Sequence, residues 1–401
     1  MNQTTQTMYS KEYYNKERGV FIERIPEKTE EWHTRRSSGI GASDIGRILG
    51  LNDYEGGSCI EIFYEKIGIK PAFRESNKYT FWGHQQEELI ANAWKYYDGS
   101  KDSYIFNYEK DNKVRDCRNI NGVLSNEKYP HLFTNIDRLI NKGCFKLTDG
   151  TILDDNGILE CKTGSSWVSK KWQEGIDPMY VMQVQQQLMI MGLEYAEIAF
   201  LELDNRELWV YPIEANKSLI SQIEEQSYKF WYEMVIPAKK LSTERELELN
   251  RGNMDAVRKI EYEIQKLEPS ADGSERYKDF MNQRWLSEPD IVKADESQLI
   301  NALELKYYKE LTKELEKDIT LRENIIRQYM GDNINTSTNK TPDTLDFDEY
   351  GKITWKTEGK NLDKKVLRTI SFKGDVSDNV LNAKEQINNN KPKLHLLCSL
   401  I

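Results

Sequence analysis

The sequence has few of the side chains that hold zinc or iron–sulfur clusters. Its 401 residues include only five Cys and four His. No two Cys form a C-x-x-C pair, which excludes a zinc finger or an iron–sulfur site. An odd number of scattered cysteines is typical of a reducing compartment, so we expect a cytoplasmic protein.

The chain also lacks a long apolar run. Its most apolar stretch, residues 188–203, is interrupted by Gly192, Glu194, Glu197 and Glu202, which excludes a membrane-spanning helix. The N-terminal 17 residues are polar, unlike a secretory signal. We therefore expect a soluble intracellular protein that does not associate with membranes.

Acidic residues outnumber basic residues in the sequence. Lys and Arg number 56 against 66 Asp and Glu, so the formal net charge is −10. A protein that binds nucleic acid through bulk charge is expected to be basic. Any contact with DNA must therefore be local, or must use metal ions that offset carboxylates. Disorder throughout is excluded, because 38% of the residues are hydrophobic and 22 Tyr and 9 Trp can be buried.

The pattern along the chain predicts a mixed α/β (α+β) fold with a charged helical extension. We expect a polar lead-in over 1–30, a compact α/β domain over 31–240, a helical extension over 241–332, and a linker with a small β segment over 333–401. The expected helices span 43–49, 58–66, 82–97, 177–191, 241–267 and 300–330, and the expected strands span 132–140, 158–162, 196–203, 207–213 and 352–356. The narrow apolar stripe in 300–330 favours a structural arm or an oligomer seam.

Two acidic residues far apart in the sequence are candidates for one site. Asp137 lies in an apolar segment predicted as a strand, and Glu160 and Lys162 alternate on the next one, so their side chains share a face. If the two strands pair, the carboxylates converge with the Lys162 ammonium beside them. Two carboxylates and a backbone carbonyl are the hard oxygen ligands that Mg²⁺ or Mn²⁺ prefers. A Glu-x-Lys pair alone is more often solvated surface.

Glutamines and a further acid accompany this set. The predicted helix after Pro178 is apolar but carries Gln183, Gln186 and Gln187, which is unusual because each buried amide needs hydrogen-bond partners. Gln183 could orient a water molecule or Lys162, or the amides could only satisfy backbone groups. Glu87 could be another metal ligand, or only an acid favoured in the first turn of a helix.

Residues 32–44 have the features of a phosphate site. Arg35 and Arg36 precede a turn that glycine permits, and Ser43 stands at a predicted helix start, so these three are candidates for holding a phosphate. The segment is not a dinucleotide fingerprint, because its glycines do not fit G-x-G-x-x-G. A lone Ser at such a position is more often only a helix cap.

Five segments, taken in order, carry a family resemblance. They are WHTRRSSGIGASD (32–44), WGHQQE (82–87), NID (135–137), LECK (159–162) and YVMQVQ (180–185). Together they resemble the lambda-exonuclease-like (YqaJ-type) viral recombinase family of the PD-(D/E)xK nuclease superfamily over about residues 31–237. The resemblance implies a restriction-endonuclease-like core, with a mixed central sheet flanked by helices. It also implies Mg²⁺-dependent digestion of double-stranded DNA ends from 5′ to 3′, which releases 5′-mononucleotides and leaves a 3′ overhang for single-strand annealing.

The resemblance also implies roles for single residues. Metal would be held by Asp137, Glu160 and the Cys161 carbonyl, with Glu87 in support, while Lys162 and Gln183 would position and activate the attacking water. Arg36 and Ser43 would hold a terminal 5′-phosphate, next to Arg35, and Asn135 stands where some relatives offer a hydroxyl for that phosphate. A single-strand annealing protein would be a partner, and some members form a ring-shaped homotrimer around DNA.

Two features of the sequence depart from the family pattern, and two alternative functions stay open. The 23-residue gap between Asp137 and Glu160 implies a hairpin insertion over about 141–156, and the segment after Pro237 is absent from compact relatives. A non-catalytic DNA-binding regulator would use residues 42–51 and 58–66 as a helix-turn-helix, although that second helix carries two Glu. An endonuclease or nickase would use the same fold on internal DNA sites.

Overall fold

The structure is a computed structural model. It describes residues 11–26, 29–51, 57–70, 78–142, 154–284, 293–332, 344–346, 352–358 and 364–370. The chain divides into two compact units, residues 1–287 and residues 288–401. The first unit thus includes residues 241–284 of the segment after residue 240.

The first unit alternates strands and helices. Its strands are β1 (Lys11–Asn15), β2 (Val20–Glu23), β3 (Ile40–Gly41), β4 (Cys117–Arg118), β5 (Val123–Asn126), β6 (Tyr129–Thr134), β7 (Arg138–Ile140), β8 (Gly157–Gly164), β9 (Tyr195–Glu202) and β10 (Leu208–Glu214). Its helices are α1 (Glu30–Ser37), α2 (Ala42–Ile48), α3 (Cys59–Lys66), α4 (Lys78–Trp94), α5 (Ser103–Glu109), α6 (Ser166–Glu174), α7 (Pro178–Met191), α8 (Lys217–Tyr228), α9 (Ile236–Asn250), α10 (Met254–Gln265) and α11 (Glu275–Arg284). A π-helical segment, Lys229–Val235, joins α8 to α9.

Two mixed sheets organise this unit. The first sheet has the order β1-β2-β5-β6-β3, in which β3 is parallel to β6 and the other neighbours are antiparallel. The second sheet has the order β10-β9-β8-β7-β4, in which β8 is parallel to β9 and the other neighbours are antiparallel. Mixed sheets flanked by helices confirm the predicted α/β class.

Strand β8 is covered on both faces. Because side chains alternate along a strand, Ile158 joins the main core with Leu188 of α7, whereas Leu159 joins a second cluster with Trp94 of α4. Residues 157–161 are therefore all buried, so the Glu160 carboxylate lies in the covered part of the strand. Glu160 faces the α7 side and Cys161 the α4 side.

Local signals fix the ends of α7. The Asp177 side chain accepts a hydrogen bond from the Met179 N–H at 3.0 Å, and Pro178 occupies the first turn, where its missing N–H has no cost. Gly192 ends the helix with φ 63°, a left-handed conformation that glycine adopts without strain. This predicted helix is confirmed. Its register places Gln183 and Gln187, four residues apart, on the face toward β8.

Some predicted elements are wrong in their bounds. The expected strand 132–140 is broken, because β6 belongs to the first sheet and β7 to the second, and residues 135–137 cross between them. The expected helix 241–267 is interrupted by a turn at Gly252, whose φ is 73°, which separates α9 from α10. Helix α4 runs over Lys78–Trp94 rather than 82–97. Most of the predicted insertion (143–153) and of the predicted linker (333–343) lies outside the described residues.

The second unit contains a long helix and a small sheet. Helix α12 (Glu296–Asp332) confirms and extends the predicted helix 300–330. Strands β11 (Thr344–Asp346), β12 (Lys352–Glu358) and β13 (Lys364–Ile370) form an antiparallel sheet, which confirms the predicted strand at 352–356. In the parts of the chain that the structure describes, no helix is both long and apolar enough to span a membrane.

Candidate active site

Asp137 and Glu160 come together where β7 meets β8. The two strands are antiparallel with Arg138 opposite Leu159, so the residue before β7 lies beside the residues after Leu159. The Asp137 carboxylate (Oδ2) accepts a hydrogen bond from the Cys161 N–H at 2.7 Å, in the position of a strand partner. The two acids converge as the sequence predicted, but Asp137 lies in the break between two strands and not within one.

Three side chains hold the Glu160 carboxylate. Glu160 is only 3% exposed. Its Oε1 accepts hydrogen bonds from Lys162 Nζ and from Gln183 Nε2, the latter at 2.6 Å. Its Oε2 accepts a hydrogen bond from Gln187 Nε2 at 2.8 Å. Charge-assisted bonds of this kind stabilise the ionised carboxylate and fix its orientation.

The site concentrates negative charge in a buried place. Burial raises the pKa of Asp137 well above its usual range, and the neighbouring Glu160 and Glu87 carboxylates raise it further, while Lys162 opposes them. Burial alone would lower the pKa of Lys162, but Glu160 and Asp137 outweigh it, so that this pKa lies above its ordinary value. Lys162 is therefore an ammonium at neutral pH. It can donate hydrogen bonds and offset charge, but it does not take up a proton.

Glu87 borders this cluster from helix α4. It is near enough to contribute to the raised pKa values of Asp137 and Cys161. Its side chain is half-buried, and its Oε1 lies 2.9 Å from His84 Nδ1. Helix α4 begins at Lys78, so Glu87 lies in the middle of the helix and is not an acid of its first turn.

The donors suit a hard divalent cation. The N–H and C=O of one strand residue point to the same side, so the Cys161 carbonyl faces the edge where Asp137 binds its N–H. A cation between Asp137 and Glu160 would relieve the repulsion that raises the Asp137 pKa. Within the described ranges, no group of three or more His, Cys, Asp or Glu side chains forms a complete ligand set. The case for a divalent cation at this site therefore rests on the charge of the acids and on the type of their donor atoms. In the structure, the Lys162 ammonium is the positive charge next to Glu160.

The α7 glutamines divide into two groups. Gln183 and Gln187 bind Glu160. Gln185 donates to the Glu214 carbonyl at 2.7 Å, and Gln186 donates to the carbonyls of Ile40 and Phe133. Sequence reasoning named Gln183 as a site residue but missed Gln187. The signal that could have found it is the four-residue spacing from Gln183, which places both amides on one helix face.

Arg36 and Ser43 lie next to a buried carboxylate, Asp44. The Arg36 guanidinium lies 4.9 Å from the centre of the Trp32 ring, and its Nη2 lies 3.7 Å from Asp44 Oδ1. The Arg36 side chain is 28% exposed, and Ser43 is exposed in the first turn of α2. Both residues can therefore be reached from solvent.

Arg35 and Asn135, the other two phosphate candidates, are held by partners within the fold. Arg35 Nε donates to Glu23 Oε1 at 2.9 Å, and its guanidinium lies 4.8 Å from the centre of the Phe133 ring. Asn135 Nδ2 donates to the Gly122 carbonyl at 3.2 Å. Arg35 thus ties α1 to β2, and Asn135 ties the segment after β6 to the residue before β5, so both side chains have a stabilising role.

Comparisons with known proteins agree with the resemblance seen in the sequence. Residues 31–194 match the family model of the YqaJ-like viral recombinase domain, a range that includes every candidate site residue. A Bacillus subtilis (strain 168) protein, "Uncharacterized protein YqaJ", is 29% identical over 210 residues, which are 52% of this chain and 56% of that protein. The alignment thus spans little more than half of that relative.

Comparison with solved structures also found partial similarities. An alkaline exonuclease (LHK-Exo) from Laribacter hongkongensis aligns with a TM-score of 0.40 at 17% identity, over 55% of this chain and 100% of that chain. A phage related exonuclease from Haemophilus somnus 129PT aligns with a TM-score of 0.31 at 14% identity, over 47% of this chain and 90% of that chain.

Proposed function

We propose that this chain, whose residues 31–194 match the YqaJ-like viral recombinase domain, is a metal-dependent deoxyribonuclease that digests double-stranded DNA from its ends. One observation carries the proposal. Asp137 and Glu160 meet at one site where β7 joins β8, together with an ammonium and two amides that bind Glu160. Neighbouring acids beside a charged donor are an arrangement that suits metal-assisted hydrolysis of a phosphodiester.

The residues of this site would have separate roles in cleavage. Mg²⁺, or Mn²⁺ in its place, would be held by Asp137, Glu160 and the Cys161 carbonyl, with Glu87 beside them, and would supply Lewis-acid activation of water and phosphate. Lys162, whose Nζ donates to Glu160, would position the attacking water and offset charge that develops on the phosphate. Gln183 and Gln187 keep the Glu160 carboxylate in one orientation.

Arg36 and Ser43 give the enzyme its preference for ends. Among the described side chains none accepts a hydrogen bond from Arg36, so its donors are available to a terminal 5′-phosphate. Digestion from that end proceeds 5′ to 3′, releases 5′-mononucleotides and leaves a 3′ overhang. Such an overhang is the substrate of single-strand annealing, so an annealing protein is the expected partner. A homotrimer around DNA remains an expectation from the family resemblance.

The regulator alternative is disfavoured by helix α3. A recognition helix must present an exposed face to the major groove. In α3, Ile60, Ile62, Phe63 and Lys66 are all buried, so this helix belongs to the core. The endonuclease alternative uses the same pocket, and its distinguishing property is the cutting of DNA that has no ends.

The test compares linear and covalently closed circular duplex in Mg²⁺. We expect wild type to digest the linear duplex faster when its ends carry 5′-phosphate, to release 5′-mononucleotides, and to leave the circle intact. Asp137→Asn should lose digestion, whereas Asp154→Asn, a change at an exposed acid outside the pocket, should retain it. Cutting of the circle would support the endonuclease. Failure of wild type to cut either DNA, or full activity of Asp137→Asn, would refute the proposal.

A further inference from the structure

A buried carboxylate beside the candidate end-binding residues is shared by three cations. Asp44 is 1% exposed. Its Oδ1 lies 2.8 Å from Arg47 Nη2, and its Oδ2 lies 3.0 Å from Lys66 Nζ. Arg36 Nη2 lies 3.7 Å from Oδ1, which is within ion-pair range but too far for a hydrogen bond. Two of the cations thus bind the carboxylate closely, and the third stays outside its hydrogen-bonding range.

Lys66 has a second anchor in the same place. Its buried Nζ also donates to the Arg36 carbonyl at 2.7 Å, so it ties the end of α3 to the last turn of α1. Lys239 donates in the same way to the next carbonyl, that of Ser37, at 3.3 Å. Cations are favoured at the carbonyl end of a helix. The backbone from which Arg36 extends is therefore held by two lysines from other helices.

The arrangement leaves the Arg36 guanidinium free to bind an anion. It packs over the Trp32 ring, and in the described part of the chain no side chain accepts its hydrogen bonds. A guanidinium carries five N–H donors and binds phosphate oxygens in pairs. Asp44 is the carboxylate that competes for it, and Lys66 together with Arg47 already occupies both Asp44 oxygens.

We propose that Lys66 is a positioning residue that keeps Asp44 from capturing Arg36, and so leaves the guanidinium available to the terminal phosphomonoester of a DNA end. This inference rests on the proposed function. Without the Lys66 ammonium, Oδ2 has lost its partner, and the backbone at Arg36 has lost one of its two anchors. The guanidinium, 3.7 Å away, then moves into the paired geometry that Arg and carboxylate favour. Lys66 thereby sets the preference for phosphorylated ends without contacting the reacting atoms.

The test is the rate ratio for 5′-phosphorylated over 5′-hydroxyl duplex ends. Lys66→Met keeps the side-chain length and leaves Asp44 paired with Arg47, so the fold should persist. We expect the ratio to fall at least roughly tenfold, the effect of one charge-assisted bond. Adding Asp44→Asn to Lys66→Met removes the competing charge and should restore much of the ratio. Lys70→Met, the same change at a half-exposed lysine just beyond α3, should leave it unchanged.

A second readout needs no cleavage. Inorganic phosphate should raise the Tm of wild type more than chloride does at equal ionic strength, Lys66→Met should lose this shift, and the double variant should regain it. An unchanged ratio and shift in Lys66→Met, or no phosphate shift in wild type, would overturn the inference. So would failure of the double variant to recover either readout while it still melts cooperatively. If the double variant does not fold, Lys66→Gln takes its place in the test, because the glutamine amide can still donate to Asp44. Lys66→Gln should then retain more of the rate ratio and of the phosphate shift than Lys66→Met. An equal loss in these two variants would overturn the inference.

The outcomes separate this inference from the nuclease itself. Digestion by wild type with no preference for 5′-phosphate would leave the proposed function standing and refute the role of Lys66. Absence of digestion together with a phosphate shift that follows Lys66 would refute the nuclease and retain the anion site.

Discussion

Replacement of Gln187 by Met should lower the nuclease activity while it changes the stability of the fold little. Gln187 is 0% exposed. Its Nε2 donates to Glu160 Oε2, a charged acceptor, in a bond that contributes about 1.5–3 kcal/mol, and it also donates to the Asn135 carbonyl over a longer distance of 3.3 Å. Its own Oε1 is buried and finds no hydrogen-bond partner among the described residues, which costs about 1–3 kcal/mol. Met fills a similar space and removes both groups. The two effects oppose each other, so we expect the free energy of unfolding to change by about 1 kcal/mol or less.

The activity should respond differently. In Gln187→Met the Glu160 carboxylate loses the donor on Oε2 and can rotate away from the position that Gln187 fixes. If the lost 1.5–3 kcal/mol is expressed in the transition state, kcat/KM falls about 10-fold to 150-fold. The assay is digestion of a linear duplex in Mg²⁺, with urea unfolding of the same samples.

The neighbouring Gln186 provides a matched control. It is equally buried, and its Oε1 also lacks a partner among the described residues. Its Nε2 donates to the Ile40 and Phe133 carbonyls at 3.2 and 3.3 Å and does not reach Glu160. Gln186→Met should therefore keep kcat/KM. Equal losses in the two variants, or full activity of Gln187→Met, would refute the reasoning.

Three further predictions follow from the charges. Asp137→Asn should raise the Tm at neutral pH, because burial together with Glu160 and Glu87 raises the Asp137 pKa and the ionised acid therefore destabilises the wild-type fold. This destabilisation disappears below about pH 4, where the acid is protonated in both the folded and the unfolded state. A Tm difference between the two proteins that does not depend on pH would contradict this prediction. Asp44→Asn should cost about 3–5 kcal/mol in urea unfolding, because it leaves Lys66 buried without its carboxylate, and a loss under 1 kcal/mol would be inconsistent with this pairing. Millimolar Mg²⁺ should raise the Tm of wild type but not of Glu160→Gln, and an equal rise in both would place the ion elsewhere.

The sequence predicted those elements whose ends carry local signals. Helix α7 begins at an Asp-Pro pair and ends at Gly192, and both features act within one turn of the chain. The strands predicted at 196–203 and 207–213 flank Asp204-Asn205, a turn-type dipeptide, and they form the antiparallel pair of β9 and β10. The shared face of Glu160 and Lys162 follows from strand alternation, which also depends only on neighbouring residues.

The sequence could not show features that depend on distant partners. Residues 132–140 contain no Gly or Pro, so no turn residue marks the point where the chain leaves the first sheet at Thr134 and enters the second at Arg138. Asp44 looks like an ordinary acid in the first turn of a helix, and only the packing of α3 against α2 brings Lys66 to it. The pairing of Gln187 with Glu160 likewise needs the placement of α7 across β8.

A double-mutant cycle on the two acids tests the central claim most directly. We would measure single-turnover release of mononucleotides from a 5′-phosphorylated linear duplex by wild type, Asp137→Asn, Glu160→Gln and the double variant. If both acids serve one centre, each single change removes most of the rate, and the double variant is no slower than the worse single variant. Losses that multiply, or a single variant that keeps the wild-type rate, would show that the two acids do not act together.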